Sequence, residues 1–325
     1  MSARTRVAVI GASGIGKHHA RWLAWEGADV CAIAGSSSVS AAVTGEALRR
    51  ITPFAGRTYG SVGEMLDAET PDLVAVASPP ALHGEHVRAA LQAGAHVLCE
   101  KPFLWKREVP LGDLMGEAEA LVALAEQSGR ELVLMAQYAG LVPTLARIGS
   151  FCSGPDSGVW QFGMKMESVH GTGADEFEDT WVDLGPHPLA VLLALLPEFR
   201  MVEDSLTVDI EQHETRVAFD VEPLGSDASP RQLCHANIIV GKSSAPERWV
   251  EVNGLRMHYS GRTNAAGAFR AYLSVGETEA ETDDPMQLYI RWTLARLAGE
   301  SHGPLLIGRA ITRAQELLFR VLRAL

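Results

Sequence analysis

Cysteine is scarce in this chain, and so is any arrangement of it that would carry chemistry. Cys31, Cys99, Cys152 and Cys234 are scattered over 325 residues without a Cys-x-x-Cys spacing, so neither a disulfide framework nor a cysteine-built metal site is expected. Positive charge is also short. The 28 Lys and Arg stand against 40 Asp and Glu, for a formal net charge of −12, and no basic cluster offers a footprint for a phosphate backbone, so nucleic acid is not an expected partner. Long apolar runs are missing too: the longest, residues 189–197, falls well below the roughly 20 residues of a membrane span. Met1 to Arg6 is polar and leads at once into Val7-Ala8-Val9-Ile10, without the basic, apolar and small-residue zones of a signal peptide, so a cytoplasmic location is expected. His83 and His86 lie three apart, but no cysteine or further histidine falls at metal spacing, and no metal is expected. There is no internal repeat, and low complexity is confined to Ser36 to Ser38.

What is present is a soluble composition, 47% hydrophobic and 21% charged, on a chain too long for one core and about right for two. Through residue 137, short β-branched runs at 6–10, 29–34, 72–77, 95–99 and 131–136 alternate with amphipathic segments such as 82–93, closed by Gly94. That alternation predicts an α/β Rossmann domain, a doubly wound parallel sheet, over 1–137. From 138 to 325 the texture changes. Longer segments at 159–169, 206–222, 232–241, 248–260 and 268–275 predict an α+β domain with a largely antiparallel sheet. Helices are expected after the Gly185 to Pro188 turn, through 189–196, and at 285–298 and 308–324. The Gly-, Ser- and Asp-rich stretch Pro223 to Pro230 reads as a loop.

The first strand runs into Gly11-Ala12-Ser13-Gly14-Ile15-Gly16, which opens a helix. Glycines in that setting let the backbone turn tightly and approach a pyrophosphate, which then faces the helix N-terminus. Gly11, Ser13, Gly14, Ile15 and Gly16 are therefore candidate cofactor contacts; an ordinary glycine turn is the alternative. An NAD-binding unit usually ends its second strand on an Asp or Glu that holds the ribose hydroxyls. Here Gly35, Ser36 and Ser37 stand at that end. Without the carboxylate a 2′-phosphate is not repelled, and hydroxyls with backbone amides can accept it. NADP is expected ahead of NAD, although the usual basic partner is not evident.

Further along, Ser78-Pro79-Pro80 and His83 are followed by Ala93-Gly94-Ala95-His96-Val97 and by Glu100-Lys101-Pro102. In this order and spacing the sequence resembles the glucose-fructose oxidoreductase / inositol dehydrogenase (Gfo/Idh/MocA) family, with its T-P-x-x-x-H segment, A-G-x-H-V strand and E-K-P corner. The resemblance implies cofactor contacts at Ser78, Pro79, His83, Glu100 and Lys101, a cis peptide before Pro102, and a homodimer or homotetramer. Lys101 emerges at the C-terminal end of a parallel strand, where open α/β sheets bind ligands. It can donate to an oxygen that gains charge during hydride transfer; a solvated strand-end lysine is the alternative.

In the second domain Asp183-Leu184-Gly185-Pro186-His187 resembles the family's D-x-G-x-H segment. The resemblance implies that His187 serves the substrate hydroxyl as base or acid, completed by Asp183 and Lys101. Four residues on a helical turn share a face, and a carboxylate can orient an imidazole that moves a proton. A helix-capping Asp and a core His form the alternative. The chain departs from the family at Glu178-Asp179-Thr180-Trp181, which replaces a glycine run, at Pro188 and Ala190, and at Gln137-Tyr138, where an arginine is usual. Tyr138, Asp179 and Trp181 are candidate substrate contacts, the Trp181 ring as a surface for a sugar face. His18, His19, Trp22, Trp25 and Trp292 read as packing residues.

The combined expectation is an NAD(P)-dependent dehydrogenase or reductase acting on CH-OH groups, its partner a small-molecule substrate. Hydride would pass between nicotinamide and a hydroxyl or ketone carbon of a sugar, sugar nucleotide or cyclitol. An NADPH-dependent reductase of an imine or non-sugar carbonyl stands as the rival within the fold, and a non-catalytic cofactor-binding sensor as the rival from another class.

Overall fold

The computed structural model describes residues 4–151, 158–169, 177–211, 213–224, 232–265 and 269–324. Cys152 and most of the loop expected over 223–230 lie outside the described residues. The chain divides into two compact units, Met1–Met135 with Met286–Gln315, and Ala136–Pro285 with Glu316–Leu325.

The first unit opens with β1 (Arg6–Ile10), α1 (Gly16–Trp25), β2 (Asp29–Ala34), α2 (Ser38–Arg49), β3 (Arg57–Tyr59) and α3 (Val62–Glu69). It continues through β4 (Leu73–Val76), α4 (His83–Gln92), β5 (His96–Cys99), α5 (Leu111–Gln127) and β6 (Leu132–Leu134). β4 is buried at all four positions and β1 at all but its first, as strands covered on both faces require, so each reads as a continuous apolar run. The order is β6-β5-β4-β1-β2-β3, all parallel. It reverses between β1 and β4, the switch point at which such sheets bind ligands.

Local chemistry explains the boundaries. The Ser37 hydroxyl accepts from Ser40 N–H at 3.2 Å to cap α2, and Ser61 caps α3 by accepting from Glu64 N–H at 3.4 Å. The short β3, which the sequence pattern does not reveal, is tied down by buried Glu69. That carboxylate accepts from the Tyr59 hydroxyl at 2.6 Å and pairs with Arg57 at 2.6 Å and Arg6 at 3.0 Å. Burial opposes its ionisation, but the hydrogen bonds from Tyr59 and Arg57 and the two arginine charges outweigh that, and its pKa is lowered.

The second unit contains α6 (Val142–Gly149), β7 (Gln161–Val169), α7 (Phe177–Leu184), α8 (Pro186–Leu195), β8 (Phe199–Met201), β9 (Thr207–Ile210) and β10 (Glu214–Pro223). There follow β11 (Cys234–Ser243), β12 (Arg248–Val252), β13 (Leu255–Thr263), β14 (Phe269–Val275) and β15 (Thr278–Asp283). The sheet runs β15-β14-β13-β12-β7-β11-β10-β8, with β9 on β10. Every pair is antiparallel except β7 with β11.

Two expected strands are each a hairpin. Residues 206–222 break into β9 and β10, which pair Thr207 with Ala218. Residues 248–260 break into β12 and β13 at Asn253-Gly254, both at positive φ (52° and 82°). An Asn-Gly pair at positive φ is the favoured two-residue hairpin turn, and the dipeptide was the available signal.

The division expected at 137/138 does not anticipate that α9 (Pro285–Leu297) and β16 (Leu306–Ile307) group almost entirely with the first unit. There β16 adds to β6 as an antiparallel edge, and Arg291 pairs with Glu26, the C-cap of α1, at 2.8 Å. α10 (Arg309–Arg323) closes the chain.

Candidate active site

At the switch point of the first sheet lies a cavity of about 460 Å³. Of the residues read as cofactor contacts, Gly11, Ser13, Gly35, Ser36, Ser78 and Pro79 line it. Gly11 sits at φ +83°, and a Cβ there would stand 2.6 Å from Ala77 O and 2.7 Å from Ser78 N. A Cβ at Gly16 would stand 2.5 Å from Gly11 O. Both glycines are therefore required by close backbone approach, one to the end of β4 and the other within the loop itself. Gly14 has open space around it, and Ser37 is occupied as the α2 cap.

The cavity also takes Ser40 and Thr44 from α2, the loop Gly60 to Gly63, and Glu85 and His86 from α4. Sequence reasoning missed these, because the loop after β3 carries no motif and its strand was not visible. Glu85 is the one carboxylate among the described lining residues, and it belongs to α4 rather than to the end of β2. The dinucleotide fits this set by the chemistry of its donors: a glycine backbone that closes against a strand end, hydroxyls beyond β2, and no acid there.

Lys101 follows β5, partly exposed, with the Lys101–Pro102 peptide cis. Its surroundings hold the corner from three sides. Buried Glu100 places Oε1 2.7 Å from His19 Nε2 on α1, and its Oε2 accepts from the Lys101 backbone N–H at 3.1 Å. Burial opposes ionisation of Glu100, but the His19 hydrogen bond, the His19 and Lys101 charges and the backbone N–H prevail, and its pKa is lowered. His83 is buried with Nδ1 3.0 Å from Pro102 O and 3.1 Å from Phe103 O, and Nε2 2.8 Å from Ser78 O. On α10, the buried Gln315 side chain both donates to Leu104 O and accepts from Leu104 N–H, each at 3.0 Å. Glu100 and His83, expected as cofactor contacts, are thus engaged in holding the strand end, and His19 does more than pack.

In the second unit, α7 and α8 abut at Gly185, whose backbone stays helical (φ −57°, ψ −35°). Asp183 is exposed, whereas His187 is 7% exposed. The Tyr138 ring meets His187 edge-on at 4.9 Å and Tyr259 edge-on at 5.3 Å. Its hydroxyl accepts from Arg248 Nη1 at 3.3 Å. Burial pushes the Tyr138 and Tyr259 hydroxyls upward in pKa, Arg248 partly offsetting it and Asp284 adding to it. Both phenols are therefore neutral donors at physiological pH. Tyr259 and Arg248 come from β13 and the start of β12, and no sequence signal pointed to them.

Trp181 corrects an expectation. It is 0% exposed, stacks on Phe177 at 6.5 Å, and donates from Nε1 to Leu318 O at 3.1 Å. A ring so enclosed offers no face to a sugar. Asp179, two residues earlier on α7, is exposed. Trp181→Phe is expected to cost about 1–2 kcal/mol of stability through the orphaned Leu318 carbonyl, with KM unchanged; urea unfolding and steady-state kinetics read the two separately.

Among the described residues no group of three or more His, Cys, Asp or Glu could hold a metal ion, and no helix is long and apolar enough to cross a membrane.

Residues 5–136 match the family model GFO_IDH_MocA, described as an oxidoreductase family with an NAD-binding Rossmann fold. The D-xylose 1-dehydrogenase (NADP(+)) of Hypocrea jecorina is 42% identical over 76 residues, which are 23% of this chain and 19% of that protein. The match thus spans only about a fifth of that curated relative's length. Among solved structures, the UDP-N-acetylglucosamine 3-dehydrogenase of Acidithiobacillus ferrooxidans aligns with a TM-score of 0.72 at 19% identity, covering 100% of this chain and 98% of its own. A 3-ketoreductase from Actinomadura kijaniata in complex with NADP aligns with a TM-score of 0.68 at 22% identity, covering 99% and 97%. At these identities the structural likenesses establish the fold of the whole chain.

Proposed function

From the match of residues 5–136 to the Gfo/Idh/MocA oxidoreductase family model, we propose that the chain is an NADP-preferring dehydrogenase or reductase. It acts, as a homo-oligomer, on a hydroxyl or ketone carbon of a sugar, sugar nucleotide or cyclitol. The observation that carries this reading is the cavity at the switch point, lined by Gly11, Ser13, Gly35 and Ser36, in the unit where Lys101 follows β5. The D-xylose dehydrogenase relative and the two sugar-nucleotide and ketone-acting structural neighbours support the substrate class. A panel of sugars, sugar nucleotides and cyclitols, followed by nicotinamide absorbance with each cofactor, tests it; absence of turnover across the panel counts against the class.

Nicotinamide, when bound, supplies or takes up the hydride. In reduction, the carbonyl oxygen gains the electron pair of the broken π bond and must receive a proton. Lys101 donates a hydrogen bond to that oxygen and stabilises the charge it gains, its place fixed by the Glu100, His83 and Gln315 contacts. His187 is assigned the proton itself, giving it to that oxygen in reduction and taking it from the hydroxyl in oxidation. Tyr138, ring edge on His187 and hydroxyl on Arg248, orients the imidazole, and Asp183 supports its charged form.

NADPH is expected to bind about tenfold more tightly than NADH, about 1.4 kcal/mol, within reach of one or two phosphate contacts. The contacts are the hydroxyls of Ser36 and Ser40 with the backbone at Gly35, on the side of the cavity where a carboxylate would repel. Fluorescence titration of the two reduced cofactors decides it, and tighter binding of NADH refutes it.

A further inference from the structure

His86 has no part in the corner or in the proton chemistry, yet it lines the dinucleotide cavity. We infer that it is a cofactor-binding residue that takes up a proton when a dinucleotide binds, presenting an imidazolium to the diphosphate. The inference rests on the proposed nicotinamide-dependent function and assigns a residue of that cavity to the cofactor's charge.

The placement follows from three contacts. Gly11, the first residue of the phosphate-facing loop, is pressed against Ala77 and Ser78 so closely that no Cβ fits between them. The Ser78 hydroxyl lies 2.9 Å from His86 Nδ1. The imidazole is therefore one side chain away from the glycine loop, and both border the same cavity. With Nδ1 engaged by Ser78, the nitrogen open to a ligand in the cavity is Nε2.

The electrostatic surroundings make this histidine responsive. Burial lowers its proton affinity, nearby Glu85 raises it, and His83 lowers it again. On the neighbouring α5, Glu117 is occupied with Arg88 at 3.6 Å. Among the described residues no lysine or arginine lines the cavity, so among them a half-buried histidine is the lining side chain able to become cationic. A diphosphate carries fixed negative charge, and an anion beside a half-buried imidazole favours the charged ring. Linkage then requires the reciprocal: proton uptake on binding, and binding that weakens as pH rises and the proton becomes costlier to supply.

NADH is the probe, because the 2′-phosphate of NADPH itself titrates with a pKa of about 6. Calorimetric titration in two buffers of different ionisation enthalpy should show net proton uptake. NADH affinity should fall about three- to tenfold between roughly pH 6 and pH 8. In His86→Gln, which keeps a hydrogen bond to Ser78, both effects should vanish. In His86→Lys, with a permanent charge, affinity should stay tight at both pH values. Matched thermal melts establish that the variants are folded. NADH binding that is insensitive to buffer and pH in the parent overturns the inference while leaving the proposed function standing, and so does a pH dependence that survives in His86→Gln. Failure of both NADH and NADPH to bind the parent at all overturns the proposed function and this inference together.

Discussion

Lys101→Ala is expected to lower turnover by about a hundredfold or more, as loss of a positioned hydrogen-bond donor to developing charge does, while NADPH affinity stays within a few fold. The separation of the two effects follows from how the residue is held. Its backbone N–H is bound by Glu100, the next two carbonyls are met by His83, and Leu104 is clamped by Gln315. These contacts are made by the backbone and by other side chains, so truncating the lysine leaves them in place, while it removes a charge that favours ionised Glu100. Loss of that charge beside buried Glu100 should cost a modest amount of stability, about 1 kcal/mol. Steady-state kinetics on the substrate found by the panel, with NADPH titration, give both readings. If affinity collapses and turnover survives, Lys101 is a phosphate contact and the donor lies elsewhere.

The second large effect is expected at His187, where alanine should again lower turnover about a hundredfold or more. Here truncation removes a buried ring that Tyr138 packs against, so some stability is lost through packing alone. His187→Gln separates the roles: it fills much of the volume but cannot exchange a proton near neutral pH. A rate defect shared by both variants, with cofactor affinity kept and the glutamine form near parental stability, is the expected pattern. Asp183→Asn should fall between parent and His187→Ala, since an amide keeps a hydrogen bond but loses the charge that favours the imidazolium. Parental turnover in a folded, NADPH-binding His187→Gln would remove the histidine from the proton relay and move the imine-reductase or sensor readings ahead.

The parallel strands of the first unit were legible because each is a short apolar run covered on both faces. β1 and β2 were read at the residues observed, and β4, β5 and β6 within one or two residues at each end. The glycine loop was legible for a related reason: positions that tolerate no Cβ leave a direct mark in residue type, as Gly11 and Gly16 do. The Asn253-Gly254 hairpin left such a mark as well, but it was read through as part of one strand. By contrast, β3 is three residues long and owes its place to Glu69, ten or more residues away from Tyr59 and Arg57 in the chain. Nothing in its own composition announces it.

Local periodicity and residue type thus determined most of the first unit's parallel strands, their order along the chain, the glycine loop and the lysine beyond β5. Each of these depends on interactions within a few residues or on a backbone conformation that only certain residues adopt. Tertiary structure alone decided what those residues touch. Glu100 meets His19 across 81 positions, Gln315 meets Leu104 across 211, and β16 completes the first sheet from near the end of the chain. It also turned Trp181 inward, because the face a helical side chain presents is set by what packs on it. In each case the partner is chosen by packing between elements distant in sequence, and hydrophobic pattern records only that a residue is covered, not by what.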